Sequence, residues 1–177
     1  MKPISNWNEV EAQGNEEYKR LVPGGYVCRI TKVEDHPEKS YLYIEFDISE
    51  GEYAGYGSSC MERNGFTPLR MYRSYSDKAT GMFKGFIQNV EASNPNYKWE
   101  WKEQSLVARL IGIVLGEEEY RKQDGSIGTR FGAKDKTVAA IRDGKFKVPE
   151  KKVLKEEAPA APVWSAVSDT DDDQLPF

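Results

Sequence analysis

Between Tyr41 and Ser49 apolar and polar residues alternate without a break. Leu42, Ile44, Phe46 and Ile48 share one side, and Tyr41, Tyr43, Glu45 and Asp47 share the other. Successive side chains of a strand point to opposite faces, so this stretch predicts a strand with one buried and one solvated face. A sheet that faces water on one side is characteristically antiparallel. The residues upstream supply a partner. Val22-Pro23-Gly24-Gly25 reads as a turn. Tyr26 to Val33 then reads as a first strand, with Tyr26, Cys28 and Ile30 on one face and Val27, Arg29 and Thr31 on the other. His36-Pro37-Glu38-Lys39-Ser40 is the turn between them, which sets Arg29 on a strand beside the outward tyrosines.

Further along, Glu50 to Gly65 is rich in Gly, Ser and polar residues and reads as a long loop carrying Tyr53 and Tyr56. Pro68 to Tyr75 reads as a third strand, Leu69 and Met71 alternating with Arg70 and Tyr72. Ser74 or Ser76 then caps a helix whose apolar stripe is Met82, Phe83, Phe86, Ile87 and Val90. Gly81 and Gly85 are poor helix formers, and their expected role is a close approach of helix to sheet. Asn94-Pro95-Asn96 ends the helix, and Trp99 and Trp101 are expected as lids on the core rather than base platforms, since tryptophan is highly buried on average. Leu106 to Leu115 reads as a strand buried on both sides, Glu117 to Phe131 as a hairpin around Asp124-Gly125, and Thr129 to Ile141 as a last strand or extended segment.

This order predicts a mainly β domain with one helix between the third and fourth strands, the arrangement of the five-stranded OB-fold barrel. Periodicity alone allows another small α+β sheet. Residues 1–20 are expected to form a flexible arm, 21–149 the folded domain, and 150–177 a disordered linker and acidic tail, with Ala158-Pro159-Ala160-Ala161-Pro162 a stiff spacer.

Charge is distributed unevenly. The 177 residues carry a formal net charge of −4. The segment from Glu156 to Phe177 has six carboxylate side chains and no Lys or Arg, leaving a body at +2. A mildly basic body on an acidic tether suits nucleic-acid binding combined with a partner-binding tail. Cys28 and Cys60 are too scattered for a disulfide framework or a metal site, so a reducing cytoplasm is the default. No apolar run reaches the length of a membrane span, and Met1-Lys2-Pro3 starts no signal peptide, so no membrane partner is expected.

The last residues, Asp169-Thr170-Asp171-Asp172-Asp173-Gln174-Leu175-Pro176-Phe177, join an aspartate run to an apolar tip. Asp171, Asp172 and Asp173 suit a basic rim, while Leu175, Pro176 and Phe177 suit an apolar pocket, with Pro176 restricting the backbone before docking. This pattern resembles the C-terminal tip of bacterial and phage single-stranded DNA-binding proteins, in which an Asp-rich run ends in Ile-Pro-Phe. Here Leu175 stands for the isoleucine and Gln174 separates it from the aspartates. Residues 21–147 are similar, as a diffuse pattern, to phage-borne OB-like proteins of replication and recombination. The resemblance implies a protein that coats exposed single strands in a phage-infected or lysogenic bacterial cytoplasm and recruits replication or recombination proteins through its tip, a homodimer being compatible with it.

Binding single strands without reading sequence needs aromatic faces for the bases and cations for the phosphates. The candidates are Arg29 on the first strand, Tyr41 and Tyr43 on the second, and Arg70 and Tyr72 on the third. Arg73, Tyr75 and Lys78 follow, and Arg121, Lys122 and Arg130 on the hairpin form an arm able to close over the strand. The plain readings are cross-strand tyrosine pairing and a solvated basic face. No catalytic residue, cofactor or metal is expected: His36 is the sole histidine, neither cysteine lies in a nucleophile signature, and no Gly-rich phosphate loop is present. Glu45/Asp47 and Glu117 to Glu119 leave a Mg²⁺ nuclease as a remote alternative. The main alternative is an adaptor for replication or recombination proteins that acts by protein contacts without binding DNA.

Overall fold

The computed structural model describes residues 19–154. They form five strands and three α-helices: β1 (Gly24–His36), β2 (Tyr41–Ile48), α1 (Tyr56–Asn64), β3 (Arg70–Ser74), α2 (Thr80–Ser93), β4 (Leu110–Arg121), β5 (Ile127–Lys136) and α3 (Val138–Arg142). The strands make one sheet in the order β3-β2-β1-β4-β5, every neighbouring pair antiparallel. The described chain is therefore mainly β. No hydrogen-bonded ladder joins β3 to β5 among the described residues, so the sheet is open. The arm before Lys19 lies outside the described residues, as do Asp171, Asp172, Asp173, Leu175, Pro176 and Phe177.

β1 organises the sheet because it serves two partners in turn. Gly24 to Arg29 pair with β4, and Cys28 to His36 pair with β2. A bulge between Ile30 and Lys32 inserts one residue, which bends and twists a strand. It also changes the phase of the pleat. Cys28 and Ile30 point inward before it and Val33 after it, all buried, whereas unbroken alternation from Tyr26 would have sent Val33 to the wet side.

The inner face holds Ile30, Ile44, Phe46, Ile111, Ile113 and Leu115, and Phe83, Phe86, Ile87 and Val90 of α2 close over it. Each such side chain contributes about 1.5–3 kcal/mol when fully buried. A second cluster of Val27, Val114, Val138 and Ile141 seats α3 on the opposite face of β1 and β4. Gly112 makes that possible: a Cβ there would lie 2.6 Å from the Ile141 side chain and 2.6 Å from the Thr137 carbonyl oxygen.

Several sequence expectations are corrected. Much of the expected loop 50–65 is helix α1. Met82 is 73% exposed and leaves the α2 stripe, while Gly81 and Gly85 face open space rather than the sheet. Neither Ser74 nor Ser76 caps α2; the helix follows directly on a 3₁₀ turn, Asp77–Ala79. Trp99 is half-buried against the core, but Trp101 is 82% exposed and held at φ 61°. The expected last strand ends at Lys136, and Val138 to Arg142 wind into α3, capped by Thr137 Oγ1 accepting from the Ala140 amide at 3.1 Å. The chain also stays attached past Pro149, since the Lys152 amide donates to the Glu117 carbonyl at 3.0 Å and the Glu119 amide to the Lys152 carbonyl at 2.9 Å.

Candidate nucleic-acid interface

The registers of β1, β2 and β3 set their outward side chains in rows across the sheet. Arg29 stands opposite Asp47; Lys32, Glu45 and Arg70 form the next row; then come Glu34, Tyr43 and Tyr72, and finally His36, Tyr41 and Ser74. The rings touch along these rows. His36 stacks on Tyr41 with centroids 4.7 Å apart and planes 25° apart. Tyr41 meets Tyr72 edge-on at 5.5 Å, and Tyr72 leans on Tyr43 at 5.4 Å. Tyr41 and Tyr43 are half-buried by these contacts, whereas Tyr72 is 56% exposed. Lys32 Nζ lies 6.0 Å from the centre of the Tyr43 ring, within cation–π range.

Polar contacts fix the rings. The Tyr43 hydroxyl donates to Glu45 Oε1 at 2.7 Å. Burial first, and this acceptor second, push the Tyr43 phenol above its ordinary value, against the opposing pull of Arg70. Lys32 pairs with Glu34 at 2.7 Å, which raises the lysine and lowers the carboxyl. On this face the cations Arg29, Lys32 and Arg70 are equalled in number by the carboxylates Glu34, Glu45 and Asp47, of which Glu34 pairs with Lys32. Asp47 is spent elsewhere: its carboxylate accepts from the Gly57 amide at 2.6 Å, the Ser58 amide at 3.0 Å and the Ser58 hydroxyl at 2.6 Å. It thereby satisfies orphan donors of the first turn of α1. In the sequence Asp47 reads as one of an acidic pair with Glu45; in the structure it is the anchor of a helix.

The remaining sequence candidates divide. Arg29 is exposed on the face, its guanidinium donating to the Ala108 carbonyl at 3.1 Å. Lys78 is exposed on the turn after β3. Arg73 is not on the face at all. It sits opposite Leu42 on the inner side, over the Phe86 ring at 5.8 Å, and pairs with Asp135 of β5. Tyr75 likewise turns toward the core, edge-on to Phe83 at 5.8 Å. Its hydroxyl donates to Asp35 at 2.8 Å, and this bond, with burial behind it, pushes the phenol up to about 12. Arg121 and Lys122 are exposed at the hairpin tip, where Arg121 donates to the Gly125 carbonyl. Arg130 lies 5.5 Å from the Tyr120 ring centre and 3.7 Å from Glu118. Lys32 and His36 are the members that sequence reasoning missed. Their signal was hidden by the bulge, since regular alternation from Cys28 and Ile30 would turn both inward.

Beside the face, the two edge strands enclose a cleft of about 640 Å³. Arg70, Met71 and Tyr72 line it from β3, and Arg130, Phe131 and Ala133 from β5. Among the described residues no group of three or more His, Cys, Asp or Glu side chains is placed to hold a metal ion. Of the acidic clusters, Glu45 is bonded to Tyr43 and Asp47 to α1, while Glu117, Glu118 and Glu119 pair with Arg20, Arg130 and Lys151. No described helix is long and apolar enough to cross a membrane. No family model matches the chain, and no curated protein matches it.

Proposed function

We propose that the β1-β2-β3 outer face binds single-stranded DNA, and that the chain coats exposed strands while its acidic tip engages replication or recombination proteins. The observation that carries this reading is the unbroken run of four rings, His36, Tyr41, Tyr72 and Tyr43, bordered by Lys32, Arg70 and Arg29. Base–aromatic stacking is worth about 1–3 kcal/mol per base and tolerates any sequence. Tyr72 offers the most open ring, so it is the central platform. The topology supports kinship with the OB-fold. β1 is shared between two partners, a helix lies between β3 and β4, and the edge strands run in one direction across a cleft. A partly open five-stranded barrel that binds along strands 2 and 3 has this arrangement.

Because carboxylates match the cations on this face, affinity there rests on stacking more than on phosphate neutralisation. Labelled oligo-dT titrated across a salt series tests the reading. Tight binding with a shallow salt slope is expected, and Tyr72→Ala is expected to weaken it about 5- to 150-fold. No binding even at low salt overturns it. The same face charge favours the second reading, an adaptor that acts through protein contacts alone, and that outcome selects it.

A further inference from the structure

We infer that the cleft between β3 and β5 receives a nucleotide of the bound strand, its base entering between the two edges and its phosphate lying between Arg70 and Arg130. This rests on the reading of the β1-β2-β3 face as a single-strand binding surface and extends it to a second subsite in the adjoining cleft.

Arg70 and Tyr72 belong to both surfaces. They project from the outer face in register with Glu45 and Tyr43, and they also line the cleft. A strand stacked on Tyr72 therefore reaches the cleft by crossing the edge of β3. The volume of about 640 Å³ lies within the range of small-molecule sites. The interior offers Met71, Phe131 and Ala133 as apolar contacts, and Phe66, 56% exposed, stands at the rim. Four arginines line the cleft, Arg20, Arg70, Arg73 and Arg130, against Glu117 and Glu118. Arg73 is committed to Asp135, and Arg20 reaches Glu117 at 3.1 Å. Arg130 holds Glu118 only at 3.7 Å and is 61% exposed, which leaves it, with the exposed Arg70, able to meet a phosphate.

A second structural fact points the same way. Among the described residues neither β3 nor β5 has a strand partner on the edge that faces the cleft. Backbone N–H and C=O groups on such edges are open to hydrogen bonding, and a nucleobase carries donors and acceptors along its own edge that match them. Apolar walls and hydrogen-bonding groups are what a flipped base needs, and the arginines add cations for its phosphate.

The test uses the full chain and oligo-dT of about twelve nucleotides, within the usual site size of one such domain, with 5-iodouracil placed at successive positions. After irradiation the crosslinked residues are mapped by mass spectrometry. Crosslinks at Phe131, Phe66 or Tyr120, besides those at Tyr41, Tyr43 and Tyr72, are the expected result. In parallel, Thr129→Trp fills the cleft from an exposed position without deleting a contact. It is expected to weaken oligo-dT binding at least fivefold at unchanged melting temperature. Crosslinks confined to the three tyrosines, together with unchanged binding by Thr129→Trp, overturn the subsite and leave the face intact. Absence of oligo-dT binding by the unmodified chain removes the face and the subsite together. If a peptide of residues 169–177 shifts the Phe131 and Ala133 resonances and oligo-dT does not, the cleft is a peptide site and the inference fails.

Discussion

Removing the Asp135 carboxylate, as in Asp135→Ala, should be among the most damaging single changes available in this chain. Asp135 accepts from the Arg73 guanidinium and, through its other oxygen, from Asn89 of α2 at 2.7 Å. The side chains of Arg73 and Asp135 are only 17% and 16% exposed. With the carboxylate gone, Arg73 is left charged above the Phe86 ring, keeping, among the described residues, the Tyr72 carbonyl as acceptor at 3.1 Å. Breaking one side of a shielded pair costs about 3–5 kcal/mol, because the survivor remains desolvated and uncompensated. That is about a third to a half of the stability of a domain holding about 10 kcal/mol. With a urea slope of about 2 kcal/mol per molar, the unfolding midpoint should fall by about 1.5–2.5 M. The double change Arg73→Met with Asp135→Leu separates this cost from the worth of the pair. Apolar replacement of a whole buried pair is often neutral or stabilising, so the double variant should recover most of the loss. A midpoint shift below about 0.5 M for Asp135→Ala, or a double variant as unstable as the single one, would refute this account of how the two sheet edges are held.

Other expectations follow from the contacts around the face and the core. In Gly57→Ala the new Cβ lies 2.9 Å from the Asp47 carboxylate and 3.1 Å from Thr67 Oγ1, so α1 must shift, at a cost of about 1–3 kcal/mol read as a lowered melting temperature. Glu91 accepts from the Trp99 amide at 2.9 Å and lies near Lys98, and in that order these hold its carboxyl below the usual range. The folded chain therefore binds that proton less readily than the unfolded one. The contribution is complete above the ordinary carboxylate range and is lost as pH falls through the depressed value; Glu91→Gln should flatten this limb of the acid-unfolding curve. Deleting Asp169–Phe177 should tighten oligo-dT binding, most at low salt, if the aspartates compete for the basic groups; an unchanged affinity removes that competition.

The parts of this architecture that were legible in the sequence are those where one pattern decides the structure. The alternation of Leu42, Ile44, Phe46 and Ile48 gave β2 its faces, and Asp124-Gly125 fixed the β4–β5 turn. Helix α1 was hidden because it buries only Gly57 and Cys60; it carries no apolar stripe and is held by a carboxylate ten residues earlier in the chain. Arg73 shares the two-residue phase of Leu69 and Met71, so the alternation that sends Arg70 and Tyr72 outward turns it inward; it joined the candidate face only as a cation beside them in sequence. Lys32 and His36 were lost because the bulge shifts the phase of β1, which no local signal marks. Trp101 follows Trp99 by two residues and looks equally suited to a core, yet its backbone turns left-handed and its ring points away.

The unjoined edges of β3 and β5 have a consequence for how the protein behaves in a crowd. Exposed strand borders invite recruitment by neighbouring molecules, the first step toward sheet-to-sheet aggregation. In this chain the two vulnerable borders look at each other across a narrow gap, with an ion pair spanning it at Arg73 and Asp135 and charged side chains at its mouth. A second sheet seeking to pair with either border meets the other border and these charges, which disfavours sheet-to-sheet fusion.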